Sequence, residues 1–146
     1  MKTSTHWLAA SLAMLLLPGC ATSRVSDADK LALYEANAGA PVGSFSFFGS
    51  INGWTPLGDE AIAVWTKPRE AYLLQLYGPC RDLPFSQVIS VTSQMNRVSA
   101  GFDKVMARST GSIDIPCRIK QIRPLDVKTI RQAEKTLRAQ SEAAGT

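Results

Sequence analysis

The chain has 146 residues, 45% of them hydrophobic and 19% charged, and a formal net charge of +4. That length fits one domain with a real core, and the composition rules out intrinsic disorder. The mild basicity falls well short of a dedicated nucleic-acid binder, so no nucleic-acid partner is expected.

Met1 and Lys2 open the chain with positive charge, and an apolar run fills residues 7–17. The run is too short to cross a bilayer, which takes roughly 20 residues, but residues 1–19 have the layout of a signal peptide. It stops at Leu17-Pro18-Gly19-Cys20. This tetrapeptide resembles the lipobox of bacterial lipoproteins. The resemblance implies cleavage before Cys20, diacylation of that cysteine with palmitate among the chains, and a mature N-terminus held on the lipid bilayer. Because Ala21 rather than Asp follows the cysteine, it also implies an outer-membrane protein facing the periplasm. The alternative reading of the same residues is an ordinary secretory signal cut nearby, for example after Ala21 or Ser23, which would leave a soluble periplasmic protein.

Residues 20–43 read as a tether carrying one short helix. Ser26 is placed to cap it, with Asp29 three residues on, and Leu31, Leu33 and Tyr34 supply a weak apolar face. Asn37, Gly39 and Pro41 end it. From residue 44 the period changes to two, and residues 44–140 are expected to form a single β-rich domain with a C-terminal helix, followed by a disordered tail over 141–146.

Ser44-Phe45-Ser46-Phe47 alternates as a half-buried strand should, and Asn52-Gly53 marks a turn. Strands over 61–66 and 71–77 flank the polar turn Lys67-Pro68-Arg69-Glu70 and make a hairpin, with Tyr72, Leu74 and Leu76 on one face. Gly78-Pro79 breaks the second strand before Cys80. Further strands are expected over 86–93 and 102–107. The clearest alternation places Ile113, Ile115, Cys117 and Ile119 on one face, which points Cys117 into the core. A helix over 126–139 is capped by Asp126 and docks through Val127, Ile130, Ala133 and Leu137; Lys128, Arg131, Lys135 and Arg138 cover its other side. The expected class is α+β, mainly β: a small antiparallel sheet or barrel-like domain with one disulfide, a short N-terminal helix and a C-terminal helix.

With Cys20 acylated, Cys80 and Cys117 are left, and an exported chain sits where disulfides persist, so these two are expected to pair.

The segments Ala38-Gly39-Ala40-Pro41-Val42, Trp54-Thr55-Pro56-Leu57-Gly58-Asp59, Ala71-Tyr72-Leu73-Leu74, Cys80-Arg81-Asp82-Leu83, Phe102-Asp103-Lys104-Val105, Cys117-Arg118-Ile119 and Ile122-Arg123-Pro124-Leu125-Asp126 carry a further resemblance. Together they are similar to an uncharacterised proteobacterial family of small exported proteins, a domain of unknown function of the DUF6491 type, over about residues 28–130. That resemblance implies an exported fold with a cysteine pair. It supplies no activity and no catalytic residues.

The one histidine, His6, lies in the segment expected to be removed. A mature chain without imidazole excludes Ser-His-Asp and Cys-His catalysis and His-ligated zinc, and with its thiols acylated or paired no metal or other cofactor is expected. Carboxylate chemistry needs no histidine, and its candidates are Asp59, Glu60, Asp82, Asp103 and Asp114. A turn accounts structurally for Asp59, a cap or an arginine pair for Asp82, and loop backbone donors for Asp103. Trp54, beside Asn52-Gly53 and Pro56, is the aromatic side chain most expected at the surface, so Trp54, Asp59, Asp82 and Asp103 form the candidate ligand patch. The basic helix face reads either as solvated or as lying against anionic lipid headgroups. The leading expectation is a non-enzymatic, membrane-tethered envelope protein acting as a structural or binding module. The alternatives are an envelope protein partner that inhibits or binds a hydrolase, and a carboxylate-dependent hydrolase.

Overall fold

The computed structural model describes residues 25–108 and 115–144, so the expectations placed on the signal segment, Cys20, Ile113 and Asp114 lie outside the described residues. The described chain runs α1 (Asp27–Ala36), β1 (Ser44–Ser46), β2 (Gly53–Pro56), β3 (Ala61–Lys67) and β4 (Glu70–Leu76). A 3-10 turn (Leu83–Phe85) leads to β5 (Val88–Val91), β6 (Arg97–Ser99), β7 (Lys104–Arg108), β8 (Pro116–Pro124) and α2 (Val127–Ala144). Six strands pair in the order β2-β3-β4-β8-β7-β5, and β1 pairs with β6 as a separate ribbon. Every pairing is antiparallel. The sheet is curled, since Trp54 on its β2 edge and Ile89 and Val91 on its β5 edge pack against the same core. The class is therefore α+β, mainly β, with an antiparallel sheet, one disulfide and two helices.

The β3–β4 hairpin forms as its sequence requires, but its two strands are buried on both faces rather than alternating. On one face Ile62, Val64, Leu74 and Leu76 join Val105, Ala107, Ile119 and Ile122, and the β1–β6 ribbon covers them with Phe45 and Val98. Phe45 stacks on Tyr72 with ring centroids 4.4 Å apart. On the other face Ala61, Ala63 and Leu73 meet Tyr34 from α1 and Ile130 from α2. Burying one Leu- or Ile-sized side chain stabilises by roughly 2 kcal/mol, so both layers contribute to the fold.

Strand β8 keeps the expected alternation from Cys117 to Lys120, with Ile119 buried between exposed Arg118 and Lys120, and departs from it beyond that point. Gln75 faces Gln121 while Leu76 faces Ile119, a bulge that inserts Lys120 and turns Ile122 onto the face of Ile119. Ile115 precedes the strand and is exposed, and Cys117 is half-buried rather than fully inside. Its partner Cys80 is buried. The two are joined as expected, closing a loop with a sequence separation of 37. On the chain-entropy model a loop of that size stabilises by about 4 kcal/mol.

Strands β2 and β6 were not legible as strands in the sequence. Gln94 and Arg97 exchange backbone hydrogen bonds across Met95-Asn96. Both turn residues have positive φ, 50° and 59°, a hairpin turn made without glycine. The C-terminal helix runs to Ala144, into the segment read from the sequence as a tail.

The largest difference concerns residues 25–43, read as a tether. Ser26 does cap α1, accepting from the Asp29 N–H. The helix, however, is docked on the sheet. Tyr34 is 1% exposed, meets Trp65 edge-on at 6.2 Å, and donates its hydroxyl to Glu134 Oε1 of α2 at 2.8 Å. Gln75 of β4 donates to Glu35 at 2.9 Å. Beyond the helix, Ala38 and Val42 bridge to Leu125 and Ile122. Arg123 donates to the carbonyls of Gly39 and Ala38 at 2.8 Å. A β-carbon at Gly39 would sit 3.1 Å from the Pro124 ring, so glycine lets the segment lie this close. The apolar face of α1 is weak because one large side chain, Tyr34, carries the docking.

Burial, with Glu134 beside it, pushes the Tyr34 phenol far above its ordinary value of 10.0. Its neutral form therefore adds stability that is complete below the unfolded-state value. That contribution is lost as pH rises above it, because the unfolded chain ionises there and the folded chain does not. Tyr34→Phe should cost roughly 1 kcal/mol at neutral pH and flatten the alkaline loss of stability above pH ~10. Urea midpoints measured across that range check this. A variant with the native pH profile would contradict it.

Candidate functional site: a cationic cleft at the start of the C-terminal helix

The residues singled out in the sequence are placed by different devices. Trp54 lies not at a turn but within edge strand β2, opposite Val64, and is half-buried against the core. Asp59 is exposed in the turn after β2, and its carbonyl accepts from the Cys80 N–H at 2.7 Å, which brings it beside the segment holding Asp82. Asp82 opens the 3-10 turn but makes no side-chain cap hydrogen bond; its carbonyl accepts from Phe85 and Ser86.

Asp103 differs from both. It is 8% exposed and occupied by the fold. One carboxylate oxygen accepts from Thr92 Oγ1 at 2.6 Å and the other from the Ser99 N–H at 2.7 Å. Thr92 Oγ1 in turn accepts from the Lys104 N–H at 2.9 Å. Asp103 thus ties the β6–β7 turn to the end of β5, the role foreseen for it as an acceptor of loop donors. Among the described residues no cluster of three or more His, Cys, Asp or Glu side chains could hold a metal ion. No described helix is long and apolar enough to cross a membrane.

The arrangement with the most chemical content lies elsewhere, where α2 begins against the β3–β4 turn. A cleft of about 630 Å³ is lined by Arg69, Leu125, Asp126, Val127, Lys128, Arg131, Gln132 and Lys135. Four cations therefore face one carboxylate. Spacing of three and four residues along α2 puts Lys128, Arg131 and Lys135 on one side of the helix. The turn supplies Arg69, and Arg131 fixes the two walls by donating to the Pro68 carbonyl at 2.6 Å.

The neighbouring acids are all engaged. Glu70 accepts from Thr66 Oγ1 at 2.6 Å and Lys67 Nζ at 2.9 Å, and these two bonds hold its carboxyl below the ordinary carboxylate range. Asp126 caps α2, accepting from the Lys128 and Thr129 N–H groups at 3.1 Å and the Thr129 hydroxyl at 2.7 Å. The Thr129 bonds keep its carboxyl low as well. Glu134 holds the Tyr34 hydroxyl. Among the described residues, ion pairs form at Lys30–Asp27 and Lys67–Glu70, and neither uses a cation of the cleft.

Sequence reasoning found three of these cations as a basic helix face. It could not find Arg69, which was legible only as a turn residue. Two further hollows of about 460 and 440 Å³ flank the outer face of the β1–β6 ribbon, lined by Ser46, Gln94, Met95, Arg97 and Ser99 and by Gln94, Ser99, Phe102 and Asp103.

Over residues 1–141 the chain matches the family of unknown function DUF6491, and it belongs to that family. No curated protein and no solved structure matches it.

The burial and bonding of Asp103 set an expectation for stability. Asp103→Ala should lower it by about 1–3 kcal/mol, because it removes the acceptor of the part-buried Ser99 N–H and Thr92 hydroxyl. Asp59→Asn, at an exposed turn, should change stability by no more than about 0.5 kcal/mol. Chemical denaturation of both variants checks the contrast. Equal effects would show that Asp103 is not the anchor of its turn.

Proposed function

We propose that this chain is a membrane-tethered binding module of a bacterial cell envelope, non-enzymatic, held on the outer membrane by acyl chains on Cys20 and facing the periplasm. The observation that carries the reading is the use of cysteine. Cys80 and Cys117 are consumed in a disulfide inside the fold, a bond that persists in oxidising compartments. Cys20, at the end of the signal-like segment, is left over for a different purpose. The lipobox-like Leu17-Pro18-Gly19-Cys20 supplies that purpose.

The docking of residues 25–43 refines the tether. Because α1 packs on the sheet, the link between Cys20 and the folded domain is only a few residues long, and the domain would ride close to the headgroups. In this reading the domain's work is recognition, and the basic side of α2 is the surface offered to anionic ligands or lipids.

Intact-mass spectrometry of the chain produced in a bacterium with lipoprotein processing tests the anchor. Cleavage before Cys20 and a lipid-sized mass increase on that residue are expected. Cys20→Ser should release the protein from the membrane fraction while leaving its thermal unfolding unchanged. An unmodified N-terminus beyond Cys20 would overturn the anchor and leave a soluble periplasmic protein.

A further inference from the structure

We propose that the cleft between the β3–β4 turn and α2 is a binding site for a phosphate ester, recognised by Arg69, Lys128, Arg131 and Lys135. The inference deepens the binding-module reading above and is independent of the lipid anchor.

The chemistry of the lining selects the ligand class. Two guanidinium groups and two ammonium groups converge on one hollow from two separate elements. Guanidinium forks match the paired oxygens of phosphate, and ammonium groups supply point charges around it. Among the described residues no acid forms an ion pair with these cations. Glu70 is held by Thr66 and Lys67, Asp126 by the first turn of α2, and Glu134 by Tyr34. Asp126 lines the cleft and stays ionised, its carboxyl held low by the Thr129 bonds, so the lining sets four cations against one carboxylate and remains net positive.

The walls are positioned before any ligand arrives. Ile130 is 1% exposed in the core beneath α2 and fixes the rotation of the helix, while Arg131 ties the helix to the turn through Pro68. Of the four cations Arg131 is held by this bond, which lowers the ordering cost of its guanidinium on binding; Arg69, Lys128 and Lys135 are exposed side chains on positioned backbone.

Size and floor narrow the class further. About 630 Å³ is several times the space that a bare phosphate needs and lies within the range of small-molecule sites. Leu125 and Val127 contribute apolar surface beside the cations. The lining thus suits a phosphate carrying an organic portion of glycerol size or larger. Two sources share that chemistry: the headgroup of an anionic phospholipid and a free phosphate monoester.

The test uses the full chain in neutral detergent at low ionic strength, titrated by calorimetry with three probes and a control. The probes are inorganic phosphate, glycerol 3-phosphate and dihexanoyl phosphatidylglycerol; dihexanoyl phosphatidylcholine is the zwitterionic control. Saturable binding of glycerol 3-phosphate or dihexanoyl phosphatidylglycerol, tighter than that of inorganic phosphate, and none of the control is expected. Preference for dihexanoyl phosphatidylglycerol assigns the site to a lipid headgroup, and preference for glycerol 3-phosphate assigns it to a free ester. Arg69→Glu and Lys135→Glu should each weaken binding by about tenfold or more, and added salt should weaken it further. Lys104→Glu, on β7 away from the cleft, should bind as the native chain does. Absence of binding to both esters, binding of inorganic phosphate alone, or equal loss in Lys104→Glu and the cleft variants would overturn the proposal. Because the titration does not depend on Cys20 being acylated, its failure is distinguishable from failure of the anchor.

Discussion

Strands β3 and β4 have no face to give to water, and the remaining architecture is arranged around that fact. Their sequences, AIAVWTK and EAYLLQL, place Ile62, Val64, Leu74 and Leu76 on one side and Ala61, Ala63, Ala71 and Leu73 on the other. Ile62, Val64, Leu74 and Leu76 need a deep cover, which the aromatic-bearing ribbon β1–β6 and the curl of the sheet supply. Ala61 and Ala63 leave room on the opposite side for the ring of Tyr34 and for the close approach of both helices. An antiparallel hairpin buried twice is more demanding than one buried once. Neither cover can be removed without exposing apolar surface, at about 25 cal/mol per Å².

That constraint reaches the candidate site. Because α2 must cover the sheet, Ile130 faces inward and the basic side chains at Lys128, Arg131 and Lys135 are turned to the rim beside the β3–β4 turn. The turn is itself stiffened by the Thr66–Glu70–Lys67 contacts, so Arg69 is presented from a fixed frame. The charge cluster is a consequence of core packing. Two other devices hold the parts that the sheet alone does not: the disulfide joins the segment after β4 to β8, and the buried carboxylate of Asp103 holds the β6–β7 turn.

What could be read from the sequence was what local chemistry decides. The proline-containing turn at Pro68, the cap at Asp126, the cap at Ser26 and the leftover cysteine pair all follow from residue types at fixed short spacings. The parts that escaped depend on partners distant in the chain. Strands β2 and β6 are short, and Met95-Asn96 forms a hairpin turn without the usual glycine signal. The bulge at Lys120 shifts the phase of β8 beyond the alternation that ends at Ile119. Helix α1 looked like part of a tether because its docking rests on one tyrosine whose contacts, Trp65 and Glu134, lie far along the chain. The cleft escaped for the same reason: Arg131 and Pro68 are 63 residues apart. A basic helix face is visible locally, but the wall that makes it a cleft is not.

The claim on which the rest depends is that α2 is a structural layer of the domain, so that the backbone carrying its cations is held in place. Native-state hydrogen exchange, resolved by residue, measures this directly. If α2 covers an otherwise exposed sheet, the amides of Ile130 and Arg131 should open with a free energy within about 1 kcal/mol of that for Leu73 and Leu74 in β4. Exchange of the α2 amides at the rate of a frayed surface helix, with β4 still fully protected, would contradict the account.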